Sequence, residues 1–86
     1  MEIKKDFVLR EIAGDYVLVP VGKTVGEYSG LFPITETGAV IWKLLPEAND
    51  SEYITEKLFS EYDADKEVIR ADVEAFLKKL TDYGII

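Results

Sequence analysis

The chain has 86 residues, 48% of them hydrophobic and 31% charged, a composition typical of one small globular domain. Its net charge of -7 has the wrong sign for neutralising phosphates or for docking on anionic lipid. Nucleic acid and membrane surfaces are therefore disfavoured as partners. Cysteine and histidine are both absent, which excludes thiolate nucleophiles, zinc-thiolate sites and imidazole acid-base catalysis, and with them most enzyme mechanisms.

The amino terminus, Met1–Asp6, leads into an alternating segment and lacks the apolar centre of a signal peptide. No apolar run approaches the ~20 residues needed to span a bilayer. The chain contains no internal repeat, low-complexity segment or linker. We expect one domain over residues 1–86 in a cytoplasmic protein.

Period-two alternation predicts β-strands in the first third of the chain. Phe7–Ile12 is stopped by Gly14, and Tyr16–Val21 follows directly, which indicates a β-hairpin. After a glycine-containing connector, Tyr28–Ile34 predicts a third strand. Because Pro33 has no N–H to donate to a ladder, this strand is expected at the sheet edge, where unpaired backbone groups remain available. Its alternation places four residues on one face: Tyr28, Gly30, Phe32 and Ile34.

From Thr35 onwards the apolar spacing becomes helical. Thr35 is the expected N-cap of a first helix, which Pro46 ends at Leu45. A second helix begins after Asp50 or Ser51, and a third begins after the turn Asp63-Ala64-Asp65, with Gly84 as the residue that follows it. The residues expected to be buried in the second and third helices are Ile54, Leu58, Phe59 and Tyr62, then Ile69, Val73, Phe76, Leu77 and Leu80.

These elements predict an α+β fold: an N-terminal three-stranded antiparallel β-sheet followed by a three-helix bundle, winged helix-turn-helix-like. Such a domain raises a DNA-binding transcriptional regulator as an alternative, with the third helix as the recognition helix. Between Lys66 and Asp82, however, four basic residues are offset by four acidic ones, and the helical half as a whole is acidic. A purely structural subunit is a second alternative.

The predicted strands carry apolar residues on both faces, for example Leu18 on one and Val17 and Val19 on the other. A sheet with one solvated face alternates more cleanly. Three interpretations stay open: the helices and loops cover both faces, two copies pair as a homodimer, or an apolar groove accepts a partner. An exposed edge strand beside an apolar groove is what β-augmentation of an extended peptide requires.

Four segments in this order resemble the PqqD-like family, over nearly the whole chain. The helix-one segment is the most specific, with a polar cap followed by Glu-Thr-Gly-Ala and an apolar residue before Trp42. The segments are Asp15–Pro20 (DYVLVP), Ile34–Leu45 (ITETGAVIWKLL), Asp72–Leu77 (DVEAFL) and Tyr83–Ile86 (YGII).

The resemblance implies a recognition element of a pathway that makes ribosomally synthesised, post-translationally modified peptides. Such a protein would be a non-catalytic adaptor, with no metal or cofactor of its own, that binds the leader segment of a precursor peptide and presents it to a modifying enzyme such as a radical S-adenosylmethionine maturase. The leader would add as an antiparallel strand to the third strand, beside the third helix. The implied peptide-binding residues are Tyr28, Ser29, Gly30, Leu31 and Phe32 on the strand and Val68, Ile69, Asp72, Val73 and Phe76 on the helix.

Overall fold

The computed structural model describes all 86 residues as one antiparallel sheet followed by three helices. The sheet order is β1-β2-β3. This confirms the predicted α+β fold and its order of elements. The elements are β1 (Phe7–Ile12), β2 (Asp15–Pro20), a 3-10 turn (Gly22–Gly26), β3 (Phe32–Ile34), α1 (Glu36–Leu44), a second 3-10 turn (Leu45–Glu47), α2 (Ser51–Glu61) and α3 (Lys66–Asp82).

The β1–β2 hairpin closes through the two residues Ala13 and Gly14. Their φ angles of 53° and 87° are both positive, as a type I′ turn requires. The register pairs Ile12 with Asp15 at the turn and Phe7 with Pro20 at the open end. The second strand therefore starts one residue earlier and ends one residue earlier than predicted.

The third strand is shorter than predicted. Only Phe32–Ile34 pair with β2, and the chain before them bends instead of extending. Gly30 has φ +81°, which interrupts an extended strand. Tyr28 is fixed from two sides, since its amide donates to the Thr24 carbonyl at 3.3 Å and its hydroxyl donates to the Tyr83 carbonyl at 2.5 Å. The predicted alternation of faces is therefore wrong for Tyr28–Leu31, whereas it is confirmed for Phe32, Pro33 and Ile34.

Each helix begins at a side-chain cap. Thr35 Oγ1 accepts from the Gly38 amide at 3.0 Å, and an Asp50 carboxylate oxygen accepts from the Tyr53 amide at 2.9 Å. The Asp65 carboxylate accepts from the Glu67 amide at 3.1 Å. These caps satisfy amides that the first helical turn leaves without partners. The helix starts predicted at Thr35, Asp50 and the 63–65 turn are confirmed.

The end of α3 is a Schellman motif centred on Gly84, which has φ +75°. The Gly84 amide donates to the Thr81 carbonyl at 3.0 Å, and the Ile85 amide donates to the Leu80 carbonyl at 2.9 Å. The motif turns Ile85 back into the core, where it is buried. The carboxyl end of α3 is thereby held in place beside the sheet.

One core joins the sheet to all three helices. Leu18 at the centre of the sheet is completely buried, and the α3 stripe packs beneath it as predicted, except that Phe76 is half-buried. The predicted burial of Phe59 and Tyr62 was wrong, since they are 44% and 37% exposed. Phe59 lies beside the Ile54 and Leu58 stripe and meets the Lys66 ammonium, whereas Tyr62 follows the last turn of α2 in an extended conformation.

The two faces of the sheet differ in what covers them. The register places Phe7, Leu9 and Phe32 on the face of Leu18, which packs against the helical core. Residues of the opposite face do not join that core: Val8, Val17, Val19 and Pro33. Apolar residues thus occupy both faces, as predicted; only the Leu18 face joins the helical core, although Val17 on the other face is also buried. Self-association through the other face stays a prediction.

Candidate functional site

The free edge of β3 is the first component of the candidate site. Pro33 lies opposite Val17, between the pairs Leu18–Phe32 and Tyr16–Ile34. Because backbone groups alternate in direction along an antiparallel strand, Phe32 and Ile34 bond to β2 and the Pro33 carbonyl points outwards. The predicted edge position of this strand is confirmed.

Backbone donors remain available on both sides of Pro33. The amides of Leu31 and Thr35 donate to no backbone carbonyl of the chain, while the Thr35 carbonyl accepts from the Ala39 amide at 2.9 Å. We call the outward backbone of residues 31–35 the β3 edge. It offers two donors and the Pro33 carbonyl as an acceptor, which is the complement of a short extended peptide.

One side of α3 lies next to the β3 edge, and we call it the groove side. Its residues recur at helical spacing, and they alternate between apolar or aromatic and charged side chains. Most are exposed, although Phe76 is half-buried and packs against the core. The groove side consists of Val68, Asp72, Phe76 and Lys79, and it continues into Tyr83, which follows the helix.

Aromatic rings close the groove at the carboxyl end of α3. Phe32 meets Tyr83 edge-on at 5.0 Å between ring centroids, and Tyr28 meets Phe32 at 5.7 Å. Phe7 contacts both Tyr28 and Phe32, at 5.2 and 5.6 Å, and also Trp42 at 6.4 Å. Edge-on aromatic pairs of this kind fix ring orientation. The end of the groove is therefore a rigid wall that ties β3 to α3.

The middle of the groove is a cavity of about 330 Å³ between β3 and α3. Gly38 leaves room for the Phe76 ring beside this cavity, because a Cβ at position 38 would lie 3.0 Å from Phe76 Cε1. The absence of a side chain lets the Phe76 ring lie over the first turn of α1. The cavity is lined by Pro33, Ile34, Thr35, Phe76 and Lys79.

A smaller cavity of about 100 Å³ lies at the amino end of α3, where it meets α1 and the end of α2. Its lining is mainly apolar, and Asp72 contributes its only charged side chain. Its volume matches one aliphatic side chain and not a larger ligand. It is lined by Thr37, Leu58, Tyr62, Ala64, Val68, Ile69 and Asp72.

Not all of the residues implied by the resemblance lie at this groove. Val68, Ile69 and Asp72 meet in the small cavity, and Phe76 lines the larger one. Val73 is completely buried and has no surface to offer. Leu31 is exposed and Phe32 half-buried beside the β3 edge, whereas Tyr28, Ser29 and Gly30 lie in the preceding bend and not in the strand.

Sequence reasoning missed several lining residues. Pro33, Ile34 and Thr35 were treated as the end of a strand and the start of a helix, although their side chains line the larger cavity. Lys79 and Tyr83 were also missed. Their signal was present, because they continue the spacing of Val68, Asp72 and Phe76 by three and four further residues.

Several charged side chains of α2 and α3 are already paired. Arg70 bridges Glu52 of α2, at 2.7 Å, and Glu67 of its own helix, and these hydrogen bonds raise the pKa of the guanidinium. The same contact lowers the pKa of Glu52. Asp72 and Lys79 form no ion pair within the chain. The groove side therefore carries one free carboxylate and one free ammonium.

Two further properties bear on the kind of site. No group of three or more acidic side chains is arranged to hold a metal ion. None of the helices combines the length and the apolar content that crossing a bilayer requires. The site itself offers backbone hydrogen-bonding groups, apolar cavities and two unpaired charges, a combination suited to binding an extended chain.

A three-stranded sheet on three helices, with one open strand edge beside the last helix, defines this protein as a small α+β domain with a peptide-sized groove. The family profile of coenzyme PQQ synthesis protein D (PqqD) matches residues 15–86, and the chain belongs to the PqqD family. The resemblance noted from the sequence is confirmed. A comparison with curated protein sequences finds no match.

Among solved structures, one described as TbiB1 in complex with the TbiA(beta) leader peptide is similar to this chain over almost its entire length. The two superpose with a TM-score of 0.71 at 26% sequence identity, and the match covers 99% of this chain and 93% of that one. The similarity includes the sheet and all three helices, so the order of elements is common to both.

Proposed function

We propose that this protein is a non-catalytic, single-domain adaptor that binds the leader segment of a ribosomally synthesised precursor peptide. The observation that carries the proposal is the β3 edge, whose free backbone groups adjoin the apolar groove on α3. Membership of the PqqD family and the leader peptide in the similar TbiB1 structure support it. The adaptor would pass the precursor to a modifying enzyme, for which we propose a radical S-adenosylmethionine maturase.

In this function the leader adds one antiparallel strand to the sheet. A leader residue opposite Leu31 accepts from its amide, and one opposite Pro33 donates to its carbonyl. Beyond Thr35 the chain enters α1, which ends the ladder. The paired segment is therefore short, and affinity depends on side chains in the two α3 cavities as well as on the backbone. Val73, being buried, acts through the core and not through contact.

The test is an amide chemical-shift titration of the labelled protein with the leader half of the precursor peptide encoded beside it, with duplex DNA as the control. Saturating shifts at residues 31–35 and on the groove side of α3 are the expected result. If the leader peptide causes no chemical-shift changes, the proposed adaptor function is wrong. Shifts along Lys66–Lys79 with DNA alone indicate a DNA-binding regulator instead.

Leu31→Asp is expected to weaken leader binding about tenfold or more, because it places a charge beside the ladder and next to an apolar groove. Leu31 is 51% exposed, so the fold is expected to remain intact. The matched control is Ile12→Asp on β1, which is equally exposed at 53% but lies at the other sheet edge. Fluorescence anisotropy with labelled leader measures both. Full affinity in a folded Leu31→Asp protein contradicts the assignment of the β3 edge.

A further inference from the structure

Two unpaired charges of opposite sign stand at fixed positions along the groove. Asp72 contributes to the small cavity and Lys79 to the larger one, and neither has an ionic partner in the chain. Other charged residues of α3 are engaged elsewhere: Arg70 bonds to Glu52 and Glu67, and Lys78 to Asp82. Asp72 and Lys79 are thus the unpaired charges of α3 that line a cavity; Glu74 also lacks an ionic partner, but it lines neither cavity.

The spacing of the two charges is close to the distance between same-side residues of an extended chain that lie four apart. Asp72 and Lys79 are seven positions apart on the helix, which is about 10.5 Å along the axis at 1.5 Å per residue. Two strand residues that face the same side and lie four apart are about 13 Å apart. The length of a lysine or arginine side chain absorbs the difference. The peptide residue midway between the two charged peptide residues then faces Phe76, which lies between Asp72 and Lys79 on α3.

The direction of a bound strand follows from the fold. Phe32 contacts Tyr83, whereas Thr35 adjoins Lys79 and Thr37 adjoins Asp72. The path from β3 into α1 therefore runs opposite to α3. A strand added antiparallel to β3 runs parallel to α3, and its amino end passes Asp72 before its carboxyl end passes Lys79.

We infer that Asp72 and Lys79 read the charge order of the bound peptide. The preferred peptide carries a basic residue, then an apolar residue two positions later, then an acidic residue two positions after that. The basic residue meets Asp72, the apolar one packs on Phe76, and the acidic one meets Lys79. Glu36, exposed in the first turn of α1 next to Thr37, adds negative charge at the Asp72 end. This inference rests on the proposed function and specifies its substrate class.

The electrostatic contribution belongs to specificity more than to affinity. Exposed ion pairs are weak individually, but reversal of the peptide charges replaces two attractions with two repulsions. We expect a peptide with the preferred order to bind roughly tenfold more tightly than its isomer with the two charges exchanged. The difference shrinks at 1 M salt, where the Debye length is about 3 Å.

The experiment is a selection from a random dodecapeptide display library on the wild-type protein and on the double variant Asp72→Lys/Lys79→Asp. Both substituted residues are exposed, and the double variant keeps the net charge of the chain. The wild type is expected to enrich peptides with the basic residue first, and the double variant is expected to enrich the reverse order. Circular dichroism verifies that the variant is folded, and anisotropy with one enriched peptide and its charge-exchanged isomer gives the ratio of affinities.

The outcomes separate this inference from the function on which it rests. Suppose that the enriched peptides bind the groove but show no charge order, or show the same order for both proteins. Either result contradicts the proposed role of Asp72 and Lys79 in selecting the peptide and leaves the adaptor function intact. Groove binding is established by loss of affinity in Leu31→Asp. Failure to enrich any peptide that depends on Leu31 overturns both.

Discussion

The two sides of α3 have the same helical spacing but different environments: one is buried in the core, and the other lines the groove. Ile69, Val73, Leu77 and Leu80 form a buried stripe that holds the helix against Leu18 and the other helices. The groove side repeats the same intervals with exposed residues and with two charges that have no partner in the chain. Packing explains the first side, and on the second side it explains only the half-buried Phe76. The contrast teaches that helical periodicity alone does not distinguish a core from a binding surface.

The largest effect separating the two sides is expected from Leu80→Ala. Leu80 is almost completely buried, and truncation leaves a cavity where the surrounding helices cannot fully relax. The free energy of unfolding is expected to fall by about 2–5 kcal/mol, measured by urea denaturation. The control is Lys79→Ala, one residue earlier on the groove side, expected to change stability by less than about 0.5 kcal/mol. Equal losses in both variants break the comparison.

Val68→Asp tests the groove side directly. Val68 is 56% exposed and lines the small cavity, so a carboxylate there disturbs binding without entering the core. Leader affinity is expected to fall about fivefold to tenfold, with unchanged thermal stability. Ala71→Asp, on an exposed part of α3 outside both cavities, supplies the matched control. If the two variants bind equally well, the small cavity is not part of the site.

Gly38→Ala on α1 tests Phe76, which belongs to the groove side of α3 and also packs against the core. The added methyl group would lie 3.0 Å from the Phe76 ring. Alanine favours the helix by about 1 kcal/mol over glycine, which offsets part of the contact. We expect little change in stability and a severalfold loss of leader affinity as the ring moves into the groove. Combining it with Phe76→Leu, which removes the clash, tests this cause. A heteronuclear spectrum reports the ring displacement through shifts at Thr35.

The smallest effect concerns the Glu52–Arg70 contact on the side of α3 that faces α2. The contact lowers the pKa of Glu52 below the ordinary 4.5, so its stabilisation is present above that pH and is lost as the pH falls through the lowered folded-state pKa. Thermal melts of the wild type and Glu52→Gln are expected to differ slightly at pH 7 and to converge at low pH. A difference that grows on acidification contradicts the assignment. Leader binding at neutral pH is expected to be unchanged.

Local signals made the helices predictable and left the third strand uncertain. Thr35, Asp50 and Pro46 fix helix ends through capping and backbone geometry, which depend on neighbouring residues alone. The β3 edge depends on partners far along the chain: Tyr28 is bound by Tyr83, 55 residues later, and Gly30 adopts a left-handed conformation. Alternating side chains therefore overestimated the strand by four residues.

The residues of the candidate site were likewise only partly predictable from the sequence. Asp72 and Phe76 were identified from the family resemblance, but their neighbours Pro33, Ile34, Thr35 and Lys79 became visible only when β3 and α3 were brought together. Phe59 and Tyr62 show the reverse error, because apolar character predicted burial that the end of α2 does not provide. Spacing identifies a stripe, but the packing partner decides whether that stripe is covered.

The sequence by itself determined the order of strands and helices, their caps, the buried α3 stripe and the absence of cysteine and histidine chemistry, because each follows from local geometry or from composition. Only the tertiary structure decided that β3 is three residues long, that Val73 is inaccessible, and that Asp72 and Lys79 each line a cavity beside α3. These features arise where segments distant in sequence meet, and the contacts that form there are not encoded in any one segment.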